Sequence, residues 1–408
     1  MSALTRWWPV LLLGLATIGA YGTAYYSIGV LVPVIGAATG WSTGALAGGF
    51  SLGLLGQGGL ALLAGRVFDR VGSQPVMLAA TLAGGSLLFL ASFADAAWQF
   101  TVAWSLGASA VGGGLYYSLT MPATARLFPE ARVSAFSVLT LLGALASPIF
   151  YPMAAMLTEA LDWRGALQVL VAVMVACVLP AALFVRAPPA SETLDALPKP
   201  SLTSAVSDAS VLRALITFGL AGAANSAVLL HQVAVIEAAG LTLAAASGFA
   251  GARGAFQIAG RLVLVPLTSR FGVGGTMAVC YGLAGSATLV LLLALLQPSS
   301  YVLVAYFTVV SGMSLGLLSP LNGLFQAEVY GDARLGTLSG VTVVVTSVSS
   351  AAGAALAGVM IDATGGFEAV LLSAGVVQFV AIAALMWQRA AGARSTPEPQ
   401  TLTADILP

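Results

Sequence analysis

Long apolar stretches follow one another along almost the whole chain, and short polar segments separate them. A helix needs about 20 apolar residues to cross the hydrocarbon core of a bilayer, and twelve stretches approach or exceed that length. In chain order they cover 9–35, 43–66, 75–94, 97–124, 132–158, 163–185, 212–235, 242–269, 276–296, 300–325, 335–358 and 367–387. The pattern therefore predicts an all-α membrane protein with twelve transmembrane helices, which we number spans 1 to 12.

One polar segment is much longer than the others and divides the spans into six and six. Residues 186–213 are rich in proline, serine and charge, which is typical of a linker. We expect a first six-helix bundle over 1–185, a linker over 186–211, a second bundle over 212–387 and a polar tail over 388–408.

Composition agrees with this pattern and excludes several classes of protein. The chain is 59% hydrophobic and 7% charged, with a mean hydropathy of +0.98 and no formal net charge. So little charge cannot cover a water-soluble surface of this size, and the zero net charge argues against a nucleic-acid partner. Cys177 and Cys280 both lie in apolar runs and His231 is the single histidine, so we expect no disulfide framework, metal site or cofactor. No pattern of catalytic residues is visible.

The positions of lysine and arginine predict the orientation in the membrane. With the N-terminus inside, 12 of the 15 basic residues fall on the cytoplasmic side, Arg164 falls outside, and Arg253 and Arg261 lie within span 8. Basic residues are enriched in cytoplasmic loops, so both termini and the linker are predicted to be cytoplasmic. The first span is too long for the apolar part of a cleaved signal peptide.

An internal repeat relates the two halves. A shift of 200 residues places GQGGLALLAGRVFDRVG, 56–72, over FQIAGRLVLVPLTSRFG, 256–272. Gln57 then matches Gln257, and each segment ends in the loop after the second span of its half. Two six-span halves with matching loops indicate duplication.

Twelve spans, a central linker and a Gly-x-x-x-Asp-Arg-x-Gly loop after span 2 resemble the major facilitator superfamily. That resemblance implies two pseudo-symmetric six-helix bundles and a loop motif that connects the cytoplasmic ends of neighbouring helices. The motif residues and their partial copy are Gly65, Arg66, Asp69, Arg70, Gly72, Arg270 and Gly272. The second copy has Ser269 in place of Asp69, so we expect only the first copy to be complete. Alternatively, these charges only mark a cytoplasmic loop.

Four further segments resemble the monocarboxylate transporter group, which includes bacterial relatives and the oxalate–formate antiporters. They are 25–41, 112–132, 162–167 and 231–272. The resemblance implies transport of small organic anions, with Arg261 at the position of a carboxylate-binding arginine. Gln257 stands where some relatives have aspartate, and span 11 lacks the lysine of the oxalate antiporters.

The residues themselves also support Arg261. It lies nine residues from Arg270, or about 13 Å along a helix, which is close to the middle of a core about 30 Å thick. Arg253, Gln257 and Arg261 are spaced by four and share one helix face. A guanidinium at this depth needs a wet cavity or a partner, and a planar guanidinium binds carboxylates through two parallel hydrogen bonds. The alternative for either arginine is a structural role.

Several weaker candidates complete the predicted site. Tyr25 and Tyr26 in span 1 and Tyr116 and Tyr117 in span 4 offer apolar walls with hydroxyl groups, and we expect one of each pair to face the cavity. Other candidate ligands are Gln57, Gln257 and Asn322, and candidates for proton coupling are His231 and Glu237. Packing is the alternative role for each of them.

These observations favour a secondary active transporter for a small organic anion, a monocarboxylate in the first instance, working by alternating access. Coupling to protons, import, export and exchange all stay open. The alternatives are a drug or metabolite exporter of the same fold, or a transporter-like sensor that does not transport. We expect a monomer in a plasma membrane, the bacterial inner membrane, with no partner beyond substrate, protons and lipid.

Overall fold

A computed structural model of the chain describes residues 3–189, 208–330 and 335–395. In these ranges the regular structure is helical, as the apolar pattern predicts. The α-helices are Ala3–Tyr21, Ile28–Thr39, Thr43–Val71, Ser73–Ala91, Ala97–Leu115, Tyr117–Leu127, Arg132–Gly143, Ala146–Phe184, Ala209–Ala238, Leu243–Leu262, Leu264–Leu296, Tyr301–Tyr330, Leu335–Thr364 and Glu368–Ser395. Most of the predicted linker, 190–207, and most of the predicted tail, 396–408, lie outside the described residues.

Several spans consist of two helical pieces. In span 1 a π-helical segment, Gly22–Tyr26, separates two α-helices. Span 4 is interrupted at Tyr116, where the backbone is extended. The long helix Ala146–Phe184 contains the end of span 5 and all of span 6, which meet at Asp162 with φ 62° and ψ 178°. Spans 8 and 9 meet at Gly272.

The spans differ in whether they are long and apolar enough to cross a bilayer by themselves. Within the described ranges, nine helical segments are long and apolar enough to cross a membrane, and the one covering 134–184 holds spans 5 and 6. Spans 4 and 8 are not in this set. Span 4 is rich in glycine and serine, and span 8 carries Arg253 and Arg261. Both spans must therefore bury polar surface against other helices.

The 200-residue repeat also appears in the backbone. Gly40 and Gly240 both have positive φ, 72° and 87°, where spans 1 and 7 end. Two residues on, Ser42 and Thr242 each begin the next span, and each side chain accepts a hydrogen bond of 3.2 Å from the amide three residues further. Each side-chain oxygen satisfies one of the free amides of a helix N-terminus. The two halves therefore share their local geometry.

The two halves are packed together at one end of the bundle. We call the end that carries Gly72, Arg126 and Arg270 the basic end, and the other end the opposite end. At the opposite end Gly358 of span 11 lies against Ala47 of span 2. Such small residues let neighbouring helices approach closely.

Candidate functional site

A cluster of tyrosine rings occupies the centre of the first half. Tyr21 stacks on Tyr116 with ring centroids 3.8 Å apart and an interplanar angle of 12°. Tyr25 and Tyr26 meet edge to face at 5.2 Å, and Tyr117 lies 5.3 Å from Tyr21. Both members of each predicted pair therefore join one cluster. The π-helical turn of span 1 and the break in span 4 change the angle that separates adjacent residues on an α-helix.

The sequence analysis missed two members of this cluster, Tyr21 and Tyr151. Tyr151 of span 5 lies 5.7 Å from Tyr26, centroid to centroid, and is almost fully buried. Tyr21 contacts rings from both spans 1 and 4. A tyrosine within an apolar span is the only sequence signal for either residue, and it does not distinguish a site from ordinary packing.

Arg253 is enclosed by uncharged groups, and its side chain is 5% exposed. Its Nε donates to the Ser311 hydroxyl at 2.8 Å. One terminal nitrogen donates to the side-chain Oε1 of Gln232 at 3.1 Å, and the other donates to the side-chain Oδ1 of Asn225 at 3.4 Å. The guanidinium also lies over the ring of Phe307 at 5.2 Å. Arg253 therefore ties spans 7, 8 and 10 together, which is the structural alternative considered for this residue.

The same network reaches the first half through Gln232. The Gln232 amide donates to the Tyr151 hydroxyl at 2.8 Å, and that hydroxyl lies 3.4 Å from the Leu229 carbonyl. Arg253, Gln232 and Tyr151 thus form a buried polar chain between the two halves. A buried network of this kind rigidifies a contact when its members are satisfied.

Arg261 has a different environment. Its side chain is half-buried and lines a cavity of about 570 Å³ between the halves. Met121, Ser137 and Thr140 line the side of the first half, and Ser319 lines the side of span 10. Among the described residues, no carboxylate pairs with Arg261, and its Nε is buried without a hydrogen-bond partner.

The Arg261 cavity lies towards the basic end. Met121 and Ser137 are each five residues, or less than two helical turns, from the arginines Arg126 and Arg132 at that end. Tyr117 lies within electrostatic range of Arg261, so the tyrosine cluster borders the same region. Arg261 and the Tyr117 phenol, from opposite halves, therefore lie near each other, although no described tyrosine lines the cavity itself.

The three predicted amide ligands lie in different places. Gln57 lies against Gly112 of span 4, where span 2 packs closely on it. The backbone of Gln257 lies against Gly316 of span 10. Asn322 lines a second cavity, of about 380 Å³, inside the second half. The Gln57 side chain thus occupies a close helix contact, which was its alternative role, whereas Gln257 makes its close contact through the backbone.

The two candidates for proton coupling are separated from the Arg261 cavity lining. His231 is 1% exposed and approaches the backbone of Ala354 in span 11. Glu237 is partly exposed at the opposite end, where it lines a depression with Pro33 and Phe367. Neither residue lines the cavity that contains Arg261.

The loop motif is built around an ion pair that the sequence analysis did not identify. Asp69 pairs with Arg126, at the end of span 4. The Arg126 guanidinium also donates to the Pro188 carbonyl at 2.9 Å and lies over the Phe68 ring at 3.9 Å. Arg70 itself is exposed. Arg126 thus joins spans 2 and 4 to the segment after span 6. The cation that pairs with Asp69 of the motif therefore comes from outside the motif.

The glycines that end the two loop copies share a conformation but differ in their surroundings. Gly72 has φ 85°, and Gly272 has φ 69°. A Cβ on Gly72 would lie 2.7 Å from the Ala187 carbonyl oxygen, whereas a Cβ on Gly272 would meet open space. The Ser73 hydroxyl next to Gly72 donates to the Val185 carbonyl at 3.2 Å. Only the first copy is therefore packed tightly against another segment.

Comparison with known proteins identifies relatives of the whole fold. The model of the Major Facilitator Superfamily matches residues 13–354. No curated protein sequence matches the chain significantly. Two structures of the nucleoside transporter NupG, one of them a mutant, superpose with TM-scores of 0.81 and 0.77 at 14% and 13% identity, covering 94% of this chain and 99% of theirs.

A third structure, a bacterial homologue of the human lysosomal transporter Spinster in an inward-facing, unoccupied conformation, is also similar. It has a TM-score of 0.73 and 12% identity over 98% of this chain and all of its own. These similarities extend over both six-helix halves and concern the fold.

Proposed function

The chain belongs to the Major Facilitator Superfamily, and from this premise we propose that it carries a small organic anion across the membrane by alternating access. The family and its structural relatives make the protein a multi-pass membrane transporter and not an enzyme. A monocarboxylate is the first substrate to test. The observation that carries the proposal is the guanidinium of Arg261, which lines the cavity between the halves and has no hydrogen-bonding or ionic partner among the described residues.

Electrostatics supports an anion as the missing partner. A charged arginine at mid-membrane depth costs at least about 2.5 kcal/mol to insert, so such residues are usually paired or functional. Arg253 meets this requirement with neutral oxygens, whereas no described residue offers Arg261 such a set. A carboxylate would supply two acceptors to the planar fork of Arg261. The hydroxyls of Tyr117, Ser137 and Thr140 are suitable secondary contacts.

Arg253 has a supporting role in this proposal. Because its donors are already directed at Ser311, Gln232 and Asn225, it fixes the helices that surround the site. It also adds positive potential near Tyr25 and Tyr26. We therefore assign substrate binding to Arg261 first and place Arg253 in the supporting shell.

The arrangement of the halves fits one stage of alternating access. Contacts between spans 2 and 11 close the opposite end, and the Arg261 cavity lies towards the basic end. We take the basic end as cytoplasmic because basic residues are enriched on that side, which makes this an inward-facing state with both termini inside. A bacterial inner membrane is the proposed location, and Glu237 is the first candidate for proton coupling because it lies at the opposite-end surface.

The proposal is tested by uptake into proteoliposomes of labelled lactate, pyruvate, acetate and oxalate, with and without a proton gradient. Uridine belongs in the panel because NupG is a nucleoside transporter. We expect saturable uptake of a monocarboxylate that Arg261→Gln abolishes. Arg186→Gln, which changes an exposed arginine outside both the cavity and the loop motif, is the matched control and should transport normally.

Two results would overturn the assignment. If a neutral solute is transported and no acid is, the proposal of an anionic substrate is wrong. If Arg261→Gln transports acids as well as the unchanged protein, Arg261 is structural. A stimulation by the gradient that Glu237→Gln removes would support proton coupling.

A further inference from the structure

A second cavity lies inside the second half, next to the proposed anion site. It has a volume of about 380 Å³ and is lined by residues of spans 7, 9, 10, 11 and 12. Its polar side chains are Asn225, Tyr281, Ser319, Asn322, Thr346 and Gln378. No side chain in this lining is charged. The cavity therefore offers hydrogen bonds to a neutral group and gives no ion pair to a charged one.

Two amides in this lining have unsatisfied oxygens. Gln378 is 5% exposed, and its Oε1 has no hydrogen-bond partner among the described residues. The Oδ1 of Asn322 is likewise buried, and no described residue forms a hydrogen bond with it. A buried polar atom without a hydrogen bond costs roughly 1–3 kcal/mol, so native proteins rarely leave two in one cavity without a use.

The second cavity, which we call the amide cavity after Asn322 and Gln378, adjoins the proposed anion site along span 10. Ser319 lines both cavities, and Asn322 lies one helical turn further along the same helix. One turn is about 5 Å. Asn225 lines the amide cavity as well and accepts a hydrogen bond from Arg253, so this cavity also adjoins the supporting shell. A small molecule held at Arg261 can therefore extend towards the amides past Ser319.

We infer that the transported acid carries a neutral hydrogen-bonding group, a hydroxyl or an amide, that binds in the cavity lined by Asn322 and Gln378. The inference rests on the proposed function, because it takes the carboxylate to be at Arg261. It narrows the substrate from simple alkyl acids to hydroxy or amido acids. A hydroxyl or amide N–H donates to the free amide oxygens, and the same group accepts from the amide nitrogens.

The test compares acids that differ by one polar group. Butyrate, 3-hydroxybutyrate, 4-hydroxybutyrate and succinamate are each added as competitors of labelled-acid uptake by the purified full-length protein in proteoliposomes. Their inhibition constants are compared. We expect at least one hydroxy or amido acid to bind about 10-fold more tightly than butyrate. A site built to bind such a group discriminates against analogues that lack it.

Variants separate the two cavities. Asn322→Leu and Gln378→Met should each weaken binding of the polar acid more than binding of butyrate and so reduce the preference of about 10-fold towards one. Leu315→Met, an apolar member of the same lining, is the matched control and should keep the preference. Arg261→Gln should weaken all four acids together. Thermal unfolding of each purified variant excludes misfolding as the cause.

The outcomes also separate the inference from the proposed function. If the acids bind through Arg261 with no preference for a polar group, the amide cavity is not a substrate subsite, and the anion carrier stands. The inference is likewise overturned if the preference survives in both amide variants. If none of the acids binds, the proposed function fails and the inference fails with it.

Discussion

The Asp362 carboxylate binds the backbone amide of Gly44 at 2.7 Å and connects the two halves across 318 residues of sequence. Its other oxygen accepts from the Thr43 amide at 2.9 Å. Asp362 ends span 11, and the two amides begin span 2, so the negative charge lies at a helix N-terminus, where it is stabilised. This contact joins the two halves at the opposite end.

Replacing Asp362 should favour opening at that end. Hydrogen bonds to a charged group contribute about 1.5–3 kcal/mol when buried, and this exposed contact should contribute less. We expect Asp362→Ala to shift the equilibrium by about 10-fold towards the state that is open at the opposite end. The reaction rate of a cysteine at Ala47, in a protein with Cys177 and Cys280 changed to serine, measures that opening because Ala47 is fully buried here.

Glu368→Ala is the control for the Asp362 experiment. It removes a nearby carboxylate that belongs to span 12, and the labelling rate should stay near that of the unchanged protein. Equal labelling rates in Asp362→Ala and the parent would show that the carboxylate does not hold the halves together.

The two arginines of span 8 should respond differently to substitution. Arg253→Gln leaves Ser311, Gln232 and Asn225 without their donor, and we expect the protein to lose about 2–3 kcal/mol of stability. Arg261→Gln removes no hydrogen bond within the described residues and should unfold at nearly the same temperature while losing transport. Differential scanning fluorimetry together with uptake distinguishes the two.

Arg→Lys variants sharpen this comparison. Arg253→Lys should remain unstable because an ammonium cannot reproduce the planar fork. Arg261→Lys should keep its charge near the cavity and bind substrate more weakly. A thermal shift for Arg261→Gln as large as that for Arg253→Gln would contradict the division of roles.

Alanine at Gly72 and at Gly272 should differ although both glycines have positive φ. Both glycines have ψ near 180°, a region that only glycine adopts readily, so both substitutions carry backbone strain of about 1–3 kcal/mol. Only Gly72→Ala adds a contact with the Ala187 carbonyl oxygen, at 2.7 Å. We expect it to lower the melting temperature further than Gly272→Ala does. Equal losses would mean that the chain after span 6 is not held against the loop.

The charges of the loop motif should not be equivalent. Arg126→Gln breaks the pair with Asp69 and the bond to the Pro188 carbonyl, and we expect a loss of about 1 kcal/mol. Arg70→Gln, which changes an exposed side chain beside Asp69, should cost less than about 0.5 kcal/mol. Urea-dependent unfolding in detergent measures both. A larger effect at Arg70 would return the central role to the motif's own arginine.

The sequence by itself determined the twelve spans, the duplication, the basic end and the presence of two arginines within span 8. These properties are local or additive: each depends on the apolar length of one segment, on the sign of nearby charges, or on a repeat with a fixed shift. The positive-φ glycines at the loop ends, Gly72 and Gly272, also lie where the repeat places them.

The partners of each polar group were decided only by the tertiary structure. Arg253 and Arg261 look alike in the sequence, yet packing supplies the first with three acceptors and leaves the second facing a cavity. Likewise, the partners of Asp362 follow only from the packing of span 11 against span 2. Gln378 lies in a cavity only because four other spans pack around span 12. Such contacts join residues far apart in the chain and depend on how whole helices pack, which no single segment encodes.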